Sequence, residues 1–179
     1  MKKNQIMSAV NPPFSRMIEI EYKKIEFRNK VIKEIHKDNT IWFYETKNKG
    51  GIGKIIGSAT IVAVIPLRAL FEPYGTGEQF IEKDIHFINY CLDRGIKIPP
   101  VPCDAWVRGI RNLMHCEFGK YSYAFNKTYL KEIGWSGKYA ILFKEYKENY
   151  LSLDDFTSIK SSEVITRPPQ SMMWVERKI

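Results

Sequence analysis

The chain has 179 residues, a formal net charge of +8, and 44% hydrophobic with 13% aromatic content. That composition excludes disorder over most of the length, suffices for one domain with a buried core, and turns the search for a partner toward polyanions, nucleic acid first. It has no apolar run long enough to span a membrane or serve as a signal peptide, and three cysteines without paired spacing fit a reducing, cytoplasmic setting.

Gln5 to Val10 reads as a first strand. Asn11 is an N-cap type residue followed by Pro12, and Phe14, Met17, Ile18 and Tyr22 recur at helical spacing. This predicts a short helix that docks by that face while Arg16, Glu19 and Glu21 stay wet. After Tyr22 the period becomes two: Ile25 and Phe27 face one way, Lys24, Glu26 and Arg28 the other. Pattern alone favours an amphipathic strand with solvated ion pairs over a ligand site.

Asn29 to Asn39 is a charged connection with a helical turn at Val31, Ile32 and Ile35, ending in the turn signal Asp38-Asn39. Ile41 to Thr46 is a strand followed by the basic loop Lys47-Asn48-Lys49-Gly50-Gly51, and Gly50-Gly51-x-Gly53 reads as a flexible loop because it lacks the G-K-[ST] ending of a phosphate loop and no helix follows it. Lys54 to Leu67 is apolar on both faces and belongs in the interior of a sheet.

From Gly77 to Arg94 the period is helical, with Ile81, Ile85, Ile88 and Leu92 on one stripe and Gly95 placed to end it. Asp104 begins a second helix through Met114 that carries Trp106, Ile110 and Leu113 inward and leaves Arg108 and Arg111 outside. Lys120 to Asn126 and Lys138 to Tyr146 read as strands, with a helical turn at Tyr129 to Ile133 between them. Tyr150 to Ser162 is polar and loop-like, and Met172 to Val175 is the last strand, after the rigid Pro168-Pro169 pair.

Lys23-Lys24-Ile25-Glu26-Phe27-Arg28 resembles the G-x-K-x-x-E-x-R signature of the ASCH domains, a branch of the PUA-like superfamily. Ile41 to Thr46 is similar to the family's "iYes" strand, Lys54 to Ala59 to its "ivGsa" strand, and Arg167-Pro168-Pro169-Gln170-Ser171 to its PPQS-type closing segment. The four matches are in order and the middle of the chain is unmatched. Glu21 stands where the signature has glycine.

The resemblance implies an α+β fold: a single PUA-like mixed β-barrel over residues 1–179 with flanking helices, here carrying a helical insertion at about 75–118. It further implies a cleft that joins Lys23, Glu26, Arg28, Tyr44, Thr46, Lys54, Arg167, Gln170 and Ser171. Cations for phosphate, a carboxylate for a base edge and an aromatic for stacking suit RNA or a modified nucleotide, with no obligatory cofactor. Two other classes stay open. One is an enzyme, a metal-independent ribonuclease or a nucleoside amidohydrolase, using Lys23, Glu26, Arg28 and Tyr44. In the amidohydrolase pattern Lys23 holds the lysine position, but Glu26 stands where the threonine nucleophile belongs. The other is a protein-interaction or regulatory module. Cys91, Cys103, Cys116, His86 and His115 are too irregularly spaced for zinc, so no metal is expected. Adjacency of His115 and Cys116 does not make a nucleophilic pair. Tyr121, Tyr123 and Phe125 at period two read as core, and Arg108 with Arg111 as a phosphate-facing or solvated patch.

Overall fold

Alternating and β-branched runs become strands in the computed structural model, which describes residues 4–32, 34–66, 90–98, 105, 106, 108–110, 112, 113 and 138–178. In chain order the elements are β1 (Gln5–Val10), α1 (Phe14–Glu19), β2 (Ile25–Arg28), β3 (Thr40–Glu45), β4 (Ile55–Pro66), β5 (Tyr139–Leu151), β6 (Phe156–Ser158) and β7 (Met172–Arg177). The fold is mixed α+β, a multi-stranded sheet with helices beside it. Two compact units are present: Met1–Lys23, Lys30–Ile61 and Phe143–Ile179 form the first, Lys24–Asn29 and Val62–Leu142 the second.

In the first unit the strand order is β5-β4-β3-β1-β7-β6. β1 runs parallel to β3, placing Met7 beside Trp42 and Val10 beside Glu45, whereas β7 and β4 are antiparallel to their neighbours. Because successive side chains alternate, Met7, Trp42, Tyr44 and Ile55 share a face with Phe156, Ile165 and Val175, and all are buried. Trp42 meets the Phe156 ring edge-on, centroids 5.1 Å apart. On the opposite face Phe43 packs against Phe143 at 4.9 Å. Gly57 lets the Tyr146 ring lie against the backbone, since a Cβ there would sit 2.5 Å from the Tyr146 hydroxyl; that hydroxyl donates to the Ile56 carbonyl at 2.6 Å. Burial holds the Tyr146 phenol well above its ordinary pKa.

In the second unit β2 pairs antiparallel with β5, Ile25 opposite Leu142 and Arg28 opposite Tyr139. Ile25, Ala63, Ile65, Tyr90, Cys91, Ile110, Ala140 and Leu142 make its core. Residues 90–92 are helical and Gly95, at φ +64°, ends that helix, its N–H donating to the Leu92 carbonyl at 2.9 Å.

Several expectations are corrected. Asn11 does not cap α1 with its side chain; the helix starts at Phe14 after Pro13, and Asn11 gives its backbone carbonyl to the Phe14 N–H. The buried face of α1 is Ser15 and Ile18, whereas Phe14 and Tyr22 are exposed: six residues are too few to turn four apolar positions onto one core. Glu19 is not free in water, because the Tyr150 hydroxyl donates to it at 2.8 Å. Val31 and Ile32 lie in no helical turn; Ile35 is buried without one. Tyr150 to Ser162 is not a loop throughout: β5 runs on to Leu151, a 3-10 turn boxed by Ser152 and Asp155 follows, and β6 forms because Phe156 is drawn into the core. Leu92 and Leu113 point outward, at 59% and 49% exposure, although Cys91 and Ile110 beside them are buried. The strand and turn expected at residues 120–133 lie outside the described residues, as do Asp104, Arg111, Cys103, Cys116, His86, His115, Ile81, Ile85, Ile88, Tyr121, Tyr123, Phe125 and most of the insertion at about 75–118.

Candidate functional site

The polar groups of the first unit gather where β1 and β3 end. Val10 faces Glu45 across the parallel pair, and the Thr46 N–H donates to the Val10 carbonyl at 2.9 Å. The Thr46 hydroxyl donates to the Asn11 side-chain oxygen. On the other side of β1 the Ala9 N–H donates to the Ser171 carbonyl at 3.3 Å, which brings the C-terminal segment to the same strand end. Arg167 and Gln170 are exposed on the stretch leading to it.

Glu45 is the buried centre of this group, at 9% exposure. Period-two geometry puts its side chain on the face opposite Tyr44, toward α1. There the Ser15 hydroxyl donates to Oε1 at 2.5 Å, and the Ile52 N–H donates to Oε2 at 2.6 Å. The second bond requires the chain after β3 to fold back tightly. Gly51 permits it: a Cβ at that position would lie 1.9 Å from the Thr46 carbonyl oxygen. Gly50 and Gly53 turn the loop at φ +82° and +70°, and the Lys47 stem lies over Gly53. Lys47, Lys49 and Lys54 are all exposed around this fold, and no carboxylate among the described residues pairs with them. The Lys54 carbonyl closes the loop by accepting the Glu45 N–H at 2.8 Å.

Tyr44 lies in the apolar cluster with Met7, Trp42 and Phe156, and burial raises its hydroxyl pKa. Lys23 is buried at 4% exposure, and its N–H donates to the Met17 carbonyl at 2.9 Å. The turn before it has a definite form. Ile20 is the C-cap of α1, Glu21 N–H bonds the Ile18 carbonyl and Tyr22 N–H bonds the Met17 carbonyl, both at 2.9 Å, with Glu21 at φ +53°. This is a Schellman closure, and Glu21 occupies the left-handed position where glycine is favoured. The chain therefore makes, with glutamate, a turn that suits the glycine of the G-x-K-x-x-E-x-R pattern.

Glu26 and Arg28 belong to the second unit and form an ion pair at 2.8 Å with side chains only 11% and 15% exposed. They are not the solvated pair that strand alternation suggests. Sequence reasoning missed Glu45, Ser15 and the side-chain role of Asn11, since each is defined by a partner about 30 or more residues away. In sequence Gly50, Gly51 and Gly53 read only as a flexible loop; the close approach of Gly51 to the Thr46 carbonyl shows only in the structure.

Among the described residues, no three His, Cys, Asp or Glu side chains gather as metal ligands would, and no helix is long and apolar enough to cross a membrane. No family model matches the chain, and no curated protein matches it. Solved structures do. The crystal structure of ASCH from Zymomonas mobilis is 17% identical, covering 98% of this chain and 90% of that one, with a TM-score of 0.49. A tyrosine-to-phenylalanine mutant of that protein is 18% identical over 97% of this chain and 91% of its own, and a serine-to-alanine mutant 18% over 97% and 89%, both with TM-scores of 0.49. The chain is thus similar, at low identity but over nearly its full length, to an ASCH domain protein.

Proposed function

We infer that this chain binds RNA or a modified nucleotide, with its mixed sheet built as a PUA-like barrel and the end of β1 and β3 as the binding surface. One observation carries the reading: three exposed lysines, Lys47, Lys49 and Lys54, lie on a loop pinned over a buried carboxylate. Unpaired surface cations suit phosphate, which needs charge more than directional geometry. The fixed polar groups beneath, Glu45 with Thr46 and Asn11, suit the edge of a base or sugar, which needs direction. The net charge of +8 supports the same class of partner. Arg167, Gln170 and Ser171 extend the surface along the C-terminal segment, and Lys23 sits at the exit of α1. Tyr44 supports the strand from its core side. Glu26 and Arg28 serve β2 in the second unit.

Incubation of the full chain with labelled single-stranded RNA and a panel of modified nucleosides, reading retention and products together, tests this. Retention that weakens when Lys47, Lys49 and Lys54 are replaced by alanine supports it. Cleaved RNA or a deacylated nucleoside selects the ribonuclease or amidohydrolase reading instead, and absence of retention at low salt removes the binder.

A further inference from the structure

Glu45 is a carboxylate nine-tenths buried, yet its partners are two neutral donors, the Ser15 hydroxyl and the Ile52 N–H, one on each oxygen. No cation among the described residues lies within ion-pair distance of it. A carboxylate offers about four lone-pair sites in all. Each Glu45 oxygen therefore keeps acceptor capacity, and the two oxygens are held in a fixed orientation from both sides. A buried charge so sparsely compensated is completed best by further donors, and most strongly by two donors spaced like its own oxygens.

We propose that Glu45 reads a guanine base, taking the ring N1–H on one oxygen and the exocyclic amino group on the other; this rests on the nucleotide-binding reading above. Guanine alone among the standard bases presents two N–H donors side by side on its Watson–Crick edge. Cytosine and adenine set an amino donor beside a ring-nitrogen acceptor, and uracil flanks its N3–H with carbonyl oxygens, so each turns a lone pair toward the carboxylate. The lysines on the same loop stand ready for the phosphate of the same nucleotide. Ser15 is then a positioning residue: it holds Oε1 from the first turn of α1 and touches no ligand itself.

The experiment is calorimetric titration of the full chain at fixed low salt with GMP, IMP, AMP, CMP and UMP. GMP is expected to bind at least tenfold more tightly than AMP, CMP or UMP. IMP, which lacks only the exocyclic amino group, is expected to bind about 10- to 100-fold more weakly than GMP, the value of one hydrogen bond to a charged acceptor. Glu45→Gln is expected to reduce the GMP advantage over AMP below twofold, and Ser15→Ala to reduce it partly. The GMP and IMP comparison uses the unaltered protein, so it decides the matter even where Glu45→Gln fails to fold. Equal binding of all five nucleotides overturns the guanine assignment and leaves the nucleotide-binding reading in place. Binding of none of them, together with no retention of RNA, overturns that reading as well.

Discussion

Replacing Glu21 by glycine should relieve a backbone strain that replacing it by alanine leaves in place. Glu21 sits at φ +53° in the Schellman closure of α1, where its Cβ crowds the backbone. A non-glycine residue pays about 1–2 kcal/mol for that conformation. Glycine removes the penalty but gives the unfolded chain more freedom, which offsets about 0.5–1 kcal/mol. Relative to Glu21→Ala, which loses the same carboxylate, the net gain is about 0.5–1 kcal/mol, or about 1–4 °C in Tm for a chain of this length. Urea unfolding at constant m-value and a thermal melt measure it. Glu21→Ala is the control, because alanine removes the carboxylate and keeps the strain, so it should show no gain. If the glycine variant is no more stable than the alanine variant, the left-handed turn is not where the strain lies.

Other perturbations read the site and its supports. Gly51→Ala should destabilise by about 1.5–3 kcal/mol, the range for losing a hydrogen bond to a charged group, because a Cβ 1.9 Å from the Thr46 carbonyl pushes the Ile52 N–H away from Glu45; an unchanged melt would contradict the tight fold-back. Arg28→Met should cost about 2–3 kcal/mol by leaving Glu26 without its guanidinium in a mostly buried setting, less than a fully buried pair loses; a denaturant curve matching wild type would show the pair to be dispensable. Burial pushes the Cys91 thiol up to about 12, with Arg94 pulling the other way. The unfolded thiol ionises near 9 while the folded one keeps its proton, so the native state binds more protons and stability falls as pH rises from about 9 to 12. Cys91→Ala should flatten that part of the stability profile, and a slope identical to wild type would place the cause elsewhere.

Strands were the most legible part of the chain. Gln5–Val10 and the doubly buried Ile55–Pro66 appear almost where period and composition put them, because a strand's pattern is local. The face of α1 was not legible. Phe14 and Tyr22 look like core residues, but Ser15 turns inward beside the expected Ile18, and its partner there is Glu45, far away in sequence. Phe156 likewise makes a strand of a polar stretch by packing on Trp42, a contact that no window around residue 156 contains. Leu92 and Leu113 fit a helical stripe yet lie outside, whereas Ile110, expected inward, and Cys91 are buried. The candidate site follows the same division. Lys54 and Thr46 come to notice through the resemblance of their strands to the ASCH pattern, whereas Glu45 is held by donors from outside its own strand and shows only once the loop over it is seen.

The most direct measurement is the salt dependence of RNA binding by wild type and by the chain with Lys47, Lys49 and Lys54 changed to alanine. Each lysine on a phosphate of single-stranded RNA contributes about 0.7 to the slope of log affinity against log salt. Loss of all three should make the slope shallower by about 2, with weaker affinity at every salt concentration. An unchanged slope and affinity would mean that the loop at the end of β3 does not meet the nucleic acid.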